Sequence, residues 1–204
     1  MVAQGIKEFY YLLLYPLSKV LCPIYRVRYQ FKRNPPRKVH IGSSYKLLPG
    51  FVNIDGNFQR RPDCTLDVRA GLPFPDDSIE FIYSCSMLEH IYVYEAIVLL
   101  RECRRVLRPG GYVHLTLPDF NYVFDILQNG AVATFPRPFK CREGQAVNWL
   151  FCDGQHKYGY THTVVAELAE RVGFARVEPA SLNDPHIPGL IEDPGPSFST
   201  NLYK

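Results

Sequence analysis

Residues 66–91 read LDVRAGLPFPDDSIEFIYSCSMLEHI, and this stretch decides the fold. Pro73-Phe74-Pro75-Asp76-Asp77 is a turn signal, and it introduces Ile79 to Ser84 (IEFIYS), a β-rich apolar run of the kind that forms a buried strand. Downstream, Tyr92 to Arg108 places Ile97, Leu100, Cys103, Val106 and Leu107 at helical spacing. Arg101, Arg104, Arg105 and Arg108 fall mostly on another side, which reads most simply as a solvated face. Pro109-Gly110-Gly111 stops that helix, and Tyr112 to Leu117 (YVHLTL) is the next strand. Upstream lie two further strand runs, Lys38 to Gly42 (KVHIG) and Phe51 to Asp55 (FVNID), with a weaker one from Cys64 to Val68. A helix is expected from about Thr163 to Val172, with Thr161 or Thr163 as N-cap and Gly173 as C-cap. Phe174 to Pro179 and Ser199 to Tyr203 supply the last two strands. Strands alternating with helices predict a parallel sheet with crossover connections.

The composition agrees. The chain has 204 residues, 47% hydrophobic, 21% charged and 14% aromatic, which excludes a disordered tail, a collagen-like rod and a coiled coil. A net charge of +3 without any long basic block argues against a dedicated nucleic-acid binder. Cys22, Cys64, Cys85, Cys103, Cys141 and Cys152 form no C-x-x-C pair, so they read as small core fillers in a reduced, cytoplasmic protein, and no metal is expected. Phe9 to Tyr25 (FYYLLLYPLSKVLCPIY) is strongly apolar, but Pro16, Lys19 and Pro23 interrupt it, and a membrane span needs about 20 uninterrupted apolar residues. A signal peptide is not indicated, because Met1 to Gly5 lacks charge and no cleavage site follows. Two readings of this arm stand: an amphipathic helix packed over the domain, or an interfacial helix whose following Arg26, Arg28, Lys32, Arg33, Arg37 and Lys38 face an anionic membrane.

In an open α/β sheet, ligands bind outside the carboxyl ends of the strands. Those ends carry Gly42-Ser43-Ser44, Asp55-Gly56, Asp67-Val68, Ser84-Cys85 and Pro118-Asp119. Glycine lets a ligand approach the backbone, since no Cβ stands in the way. A carboxylate ending the second strand can accept both hydroxyls of a ribose, and one ending the third can accept from an adenine amino group. Only nine residues separate Gly42 from Val52, too few for a crossover helix, so that connection is expected to be a loop or a single turn. A single glycine followed by two serines also suits a ligand without phosphate better than a dinucleotide, which wants a glycine-rich turn and a helix N-terminus.

The segments VHIGSS, FVNID, LDVRAGLPFPDDSIEFIYSCSMLEHI and LLRECRRVLRPGGYVHLTLPD together resemble the class I S-adenosylmethionine-dependent methyltransferases, in particular the small bacterial members of methyltransferase type 11. The resemblance covers roughly Lys38 to Phe120, and loosely His156 to Val177. It implies an α/β, Rossmann-like, mostly parallel seven-stranded sheet with helices on both faces, the last strand antiparallel, and S-adenosyl-L-methionine as cofactor. It further implies that Gly42, Ser43 and Ser44 face the methionine part, that Asp55, beside Gly56, holds the ribose, that Asp67 with Val68 holds the adenine, and that Ser84 with Cys85 meets the cofactor amino group through backbone. One departure from the family is the reduction of its G-x-G to Gly42 alone.

Glu89-His90, just past the fourth strand, and His156, in the acceptor-side segment, are the candidate catalytic residues. Each has a plain alternative: a solvated turn with local hydrogen bonds for the first two, packing or capping for His156. Some quinone-pathway members of the class hold a metal with E-x-x-E-H; here Ser86 stands where the first Glu would be. The expected organisation is an arm, residues 1–34, followed by a cofactor-binding domain, 35–204, with an acceptor-side insertion at about 120–160. The expected activity is methyl transfer to a small-molecule, sugar or lipid-linked acceptor. The alternatives are a degenerate interaction module or a nicotinamide-dependent oxidoreductase.

Overall fold

A computed structural model describes residues 2–132, 139–189 and 195–204; part of the expected insertion, residues 133–138, lies outside them. The chain runs α1 (Val2–Gln30), β1 (Lys38–Ile41), β2 (Val52–Asp55), β3 (Cys64–Thr65), β4 (Ile79–Cys85), α2 (Val93–Val106), β5 (Leu107–Pro118), α3 (Tyr122–Phe124) and a π-helical turn (Asp125–Asn129). It continues through α4 (Arg142–Phe151), α5 (His162–Val172), β6 (Arg176–Ala180) and β7 (Ser197–Tyr203). The seven strands lie in the order β3-β2-β1-β4-β5-β7-β6. The pairs from β3 to β5 are parallel, and β7 runs antiparallel between β5 and β6. The sheet is therefore the mostly parallel, Rossmann-like one expected.

The predicted strands sit where the β-rich runs are, with shifts of one or two residues at several ends and two larger differences. β5 begins at Leu107, not Tyr112, because Leu107 pairs with Ile79 and the register then shifts before Tyr112 pairs with Phe81. A Cβ on Gly111 would lie 2.9 Å from the Glu80 carbonyl oxygen, so only glycine lets the strand pass that shift. β3 ends at Thr65, and Asp67 instead caps a 3-10 turn over Val68–Ala70.

One face of the sheet carries Val39, Ile41, Ile54, Ile82 and Val113 against α1, α2 and α5 in a single core. The opposite face carries Phe81 and Tyr83 beneath Leu48, Phe51 and Ile187, which come from the 42–51 and 181–189 loops. As expected, the β1–β2 connection has no room for a crossover helix, and loops cover this part of the second face. Asn53 takes over part of that helix's work. Its side chain accepts from the Leu48 N–H (2.8 Å) and donates to the Leu48 carbonyl (3.2 Å), pinning the loop against the sheet.

α1 is one helix through both Pro16 and Pro23. An internal proline costs about 3 kcal/mol, so the helix needs tertiary support. Leu14, Ser18 and Cys22 on its inner face are buried, with Leu21, Tyr25 and Tyr29 packed beside them. Burial of one leucine-sized side chain contributes about 1.5–3 kcal/mol, so several of these offset the two prolines. The Cys22 thiol donates to the Gly71 carbonyl and Tyr10 to the Gly56 carbonyl, fixing the helix across the β2 and β3 ends. No helix among the described residues is long and apolar enough to cross a membrane.

Candidate active site

The strand ends converge as the topology requires. After β1, Gly42 turns with φ +71°, and the N–H groups of Gly42 and Ser43 both donate to the Ile54 carbonyl of β2. A Cβ on Gly42 would lie 2.5 Å from Met87 Cγ, so the turn and the loop after β4 are in contact at this point. The Ser43 hydroxyl is buried and has no hydrogen-bond partner among the described residues. Ser44 has φ +45°, and its N–H donates to Asp55 Oδ2 at 2.8 Å, while Asn57 N–H donates to Oδ1 at 2.7 Å. Asp55 is thus held in place by one backbone donor on each oxygen. Each oxygen keeps acceptor capacity for a further hydroxyl.

Asp67 is placed differently. It is 3% exposed, and both its oxygens accept from the Arg69 guanidinium, at 2.6 Å for the closest contact. Its N–H donates to Ser18 Oγ of α1, and Arg69 also reaches Glu95 of α2. Val68 packs on the core at the start of that turn. Ser84 is buried in register with Ile41 and Leu115, and Cys85, partly exposed, has its thiol 3.8 Å from Ser86 Oγ. Tyr11 of α1 was not legible as a site residue. Its ring lies on Gly56, where a Cβ would come within 2.6 Å of it. Burial, together with the charges of Asp55 and Asp67, pushes its phenol up to about 12. α1 therefore places an aromatic ring beside both strand-end carboxylates. Two surface recesses, of about 290 and 740 Å³, lie elsewhere, beside Arg104 and Phe198 respectively.

Two residues beyond Met87 the same loop carries Glu89 and His90. Glu89 is 2% exposed, and neither carboxylate oxygen has a hydrogen-bond partner among the described residues. Burial pushes its carboxyl up to about 8, so at neutral pH it holds a proton. His90 Nε2 stands 4.0 Å from Glu89 Oε1, and its Nδ1 lies 3.2 Å from the Gln155 carbonyl. His156 meets His90 edge to face, with ring centroids 5.1 Å apart, although 66 positions separate them. His156 Nδ1 lies 3.1 Å from the Leu150 carbonyl, which assigns the proton to Nδ1 and leaves Nε2 as an acceptor. Burial lowers its pKa, keeping the ring neutral.

The structure thus brings the three catalytic candidates together. The segment carrying His156 is drawn in by the Lys157 N–H, which donates to the Glu89 carbonyl at 2.7 Å. Tyr160 joins the group unforeseen. Its hydroxyl is buried without a partner among the described residues, and burial, with Glu89 nearby, raises its pKa. One donor atom from each of Glu89, His90 and His156 falls within 4.8 Å of the others. The 4.0 Å from His90 Nε2 to Glu89 is longer than the about 3 Å between neighbouring ligands around an ion with 2.0–2.1 Å bonds.

Residues 52–115 match the family model of the methyltransferase domain. They run from the strand that ends in Asp55, through Glu89 and His90, to the middle of β5. The match spans 64 of the chain's 204 residues, and in this part the chain is similar to a methyltransferase domain. Its fold is shared by a methyltransferase from Archaeoglobus fulgidus, at TM-score 0.54 and 14% identity over 93% of this chain and 94% of that one. A Thermotoga maritima protein described as a possible histamine N-methyltransferase matches at TM-score 0.51 and 16% identity, covering 100% of this chain and 96% of that one. A Haemonchus contortus phosphoethanolamine N-methyltransferase, solved with S-adenosylhomocysteine, aligns at TM-score 0.49 and 16% identity over 75% of this chain. The aligned part is about a third of that enzyme's length, 36%. A search of curated proteins returned no match.

S-adenosylmethionine, the cofactor that this similarity implies, would fit the residues present. Gly42 provides backbone that no Cβ covers, Ser43 has an unused hydroxyl, and Asp55 has acceptor capacity left at the end of β2.

Proposed function

We propose that the protein transfers a methyl group from S-adenosylmethionine to a hydroxyl of a small-molecule, sugar or lipid-linked acceptor lying against Glu89, His90, His156 and Tyr160. The observation that carries this reading is the single loop Ser86–His90. Through Met87 it rests on Gly42 of the cofactor turn, and two residues later it presents the buried polar group. When bound, S-adenosylmethionine supplies an electrophilic methyl carbon on a cationic sulfur. The chain's own tasks are then to align the acceptor and to take its proton. His156 Nε2 suits the second task, because its ring is neutral and Nδ1 is anchored. As the acceptor oxygen takes up the methyl group that S-adenosylmethionine would supply, His156 Nε2 would take the hydroxyl proton. Glu89, protonated at neutral pH, can donate to an acceptor oxygen and fix its orientation.

The degenerate-module and nicotinamide readings are not favoured. Asp55 is positioned and accessible, and the β1 turn lacks a helix N-terminus for a pyrophosphate. The test is a radiolabelled-methyl assay over hydroxyl-bearing sugars, phenols and lipid-linked sugars, run with wild type and His156→Ala. Product with the wild type, and a fall of roughly 100- to 10,000-fold in turnover for His156→Ala at unchanged cofactor affinity, is expected of a general base. Equal turnover by the two proteins would remove His156 from the chemistry.

A further inference from the structure

α1 is apolar on two opposite faces, and only one of them is used inside the domain. Leu14, Ser18 and Cys22 point into the protein. On the far side Ile6, Phe9, Leu13, Val20, Ile24 and Val27 recur at steps of three, four or seven residues, and every one is more than half exposed. Leu12, at 69% exposure, and Leu17 mark the edges of this face. At 3.6 residues per turn it spans an arc of about 140°. A patch of this kind on a soluble surface marks an interaction site.

The charges say what it faces. Lys19 falls along one edge of the arc and Arg28 along the other, both exposed, and Lys32 and Arg33 follow just beyond the helix. Glu8 is the only acidic residue before Asp55. A second copy of the helix would bring these cations against their like. A coiled-coil seam would also be narrower, limited to two positions in seven. An anionic lipid surface takes both features at once: a broad apolar face to sink to the acyl boundary, and basic edges at headgroup level. Since no described helix can span a bilayer, the helix would lie in the surface plane. We infer that the outer face of α1 is a docking surface for an anionic membrane, with the catalytic domain carried on the opposite side of the helix. This inference is independent of methyl transfer.

The test is sedimentation of the full chain with extruded vesicles of phosphatidylcholine alone, or with about 30% phosphatidylglycerol added to give a negative surface. The protein should pellet with the anionic vesicles at low salt and be depleted from the pellet as screening shortens from about 10 Å at 0.1 M to 3 Å at 1 M. The double substitution Leu13→Glu with Val20→Glu touches only exposed positions and should cut vesicle affinity roughly tenfold or more. Lys19→Glu with Arg28→Glu, which leaves the apolar face intact, should abolish the preference for anionic vesicles. Wild-type protein that stays in the supernatant with anionic vesicles at 0.1 M salt overturns the inference. So does a stable dimer that ignores vesicles and that the Leu13→Glu, Val20→Glu protein cannot form, for the face would then be a self-association seam.

Discussion

Glu89→Gln should make the protein more stable, and by an amount that depends on pH. The carboxyl is 2% exposed, its oxygens lack partners among the described residues, and burial pushes its pKa from 4.5 up to about 8. In the unfolded chain it ionises near 4.5, so between pH 4.5 and 8 the native state binds a proton that the unfolded state has given up. Stability from this group is then fully present below pH 4.5 and is lost as pH rises toward 8. At pH 7 the native state holds the proton 2.5 pH units above the unfolded pKa, a cost of about 3 kcal/mol at 1.36 kcal/mol per unit. Gln is close in shape and carries no proton to lose. Urea unfolding of wild type and Glu89→Gln at pH 5, 6, 7 and 8 should give stabilities that differ by less than about 1 kcal/mol at pH 5 and separate progressively, reaching about 3 kcal/mol at pH 7. A stability difference that does not change with pH would refute the reasoning, since it would mean that Glu89 is ionised and paired in the native protein. The same substitution should impair turnover, the usual cost of an unsatisfied group kept at a working site.

His40 should show the opposite pH dependence. It is buried against Tyr83, and burial lowers its pKa to about 4, so stability should fall as pH drops from about 6.5 toward 4, by about 3 kcal/mol in all. His40→Leu should flatten that acid limb in the same urea series, and an unchanged limb would place the acid sensitivity elsewhere. Gly42→Ala forces a Cβ to within 2.5 Å of Met87 at a φ of +71° and should cost about 1–2 kcal/mol, with a further loss of cofactor affinity. Thermal melts with and without S-adenosylhomocysteine separate the two effects, and a variant that melts and binds like wild type would show that Met87 yields freely. Ser18→Ala removes the acceptor of the Asp67 N–H and should lower the melting temperature, measured by circular dichroism, without changing turnover.

Much of the sheet could be read from the sequence because its signals are local. The Pro73–Asp77 turn, the Pro109-Gly110-Gly111 stop and the β-rich runs each act within a few residues. The nine-residue gap after Gly42 correctly excluded a crossover helix, but its consequence for the far face of the sheet was not visible. Part of what covers Phe81 and Tyr83, Ile187, comes from about a hundred residues downstream. The site divides in the same way. Asp55 lies at its strand end, where alternation puts it, whereas Asp67 is taken up by Arg69 two residues on and by Ser18 of the arm. No periodicity encodes such a partnership. Glu89, His90 and His156 could be named singly, from residue type and place, but their meeting depends on backbone bonds such as Lys157 to Glu89, and Tyr160 is set beside them by its bridge to Asp119 at the end of β5. The arm showed why sequence alone left two readings standing: its inner residues satisfy the packed reading, and its outer residues present the apolar face that the interfacial reading needs.

The central claim is that the ends of β1 and β2 hold S-adenosylmethionine, and calorimetric titration with S-adenosylhomocysteine tests it most directly. One site per chain is expected in the wild type. Asp55→Ala should lose roughly 1.5–3 kcal/mol, about 10- to 150-fold in affinity, as for a hydrogen bond to a charged group. A folded wild-type protein that gives no binding heat and no thermal shift at saturating ligand, or an Asp55→Ala protein that binds as tightly as wild type, would contradict it.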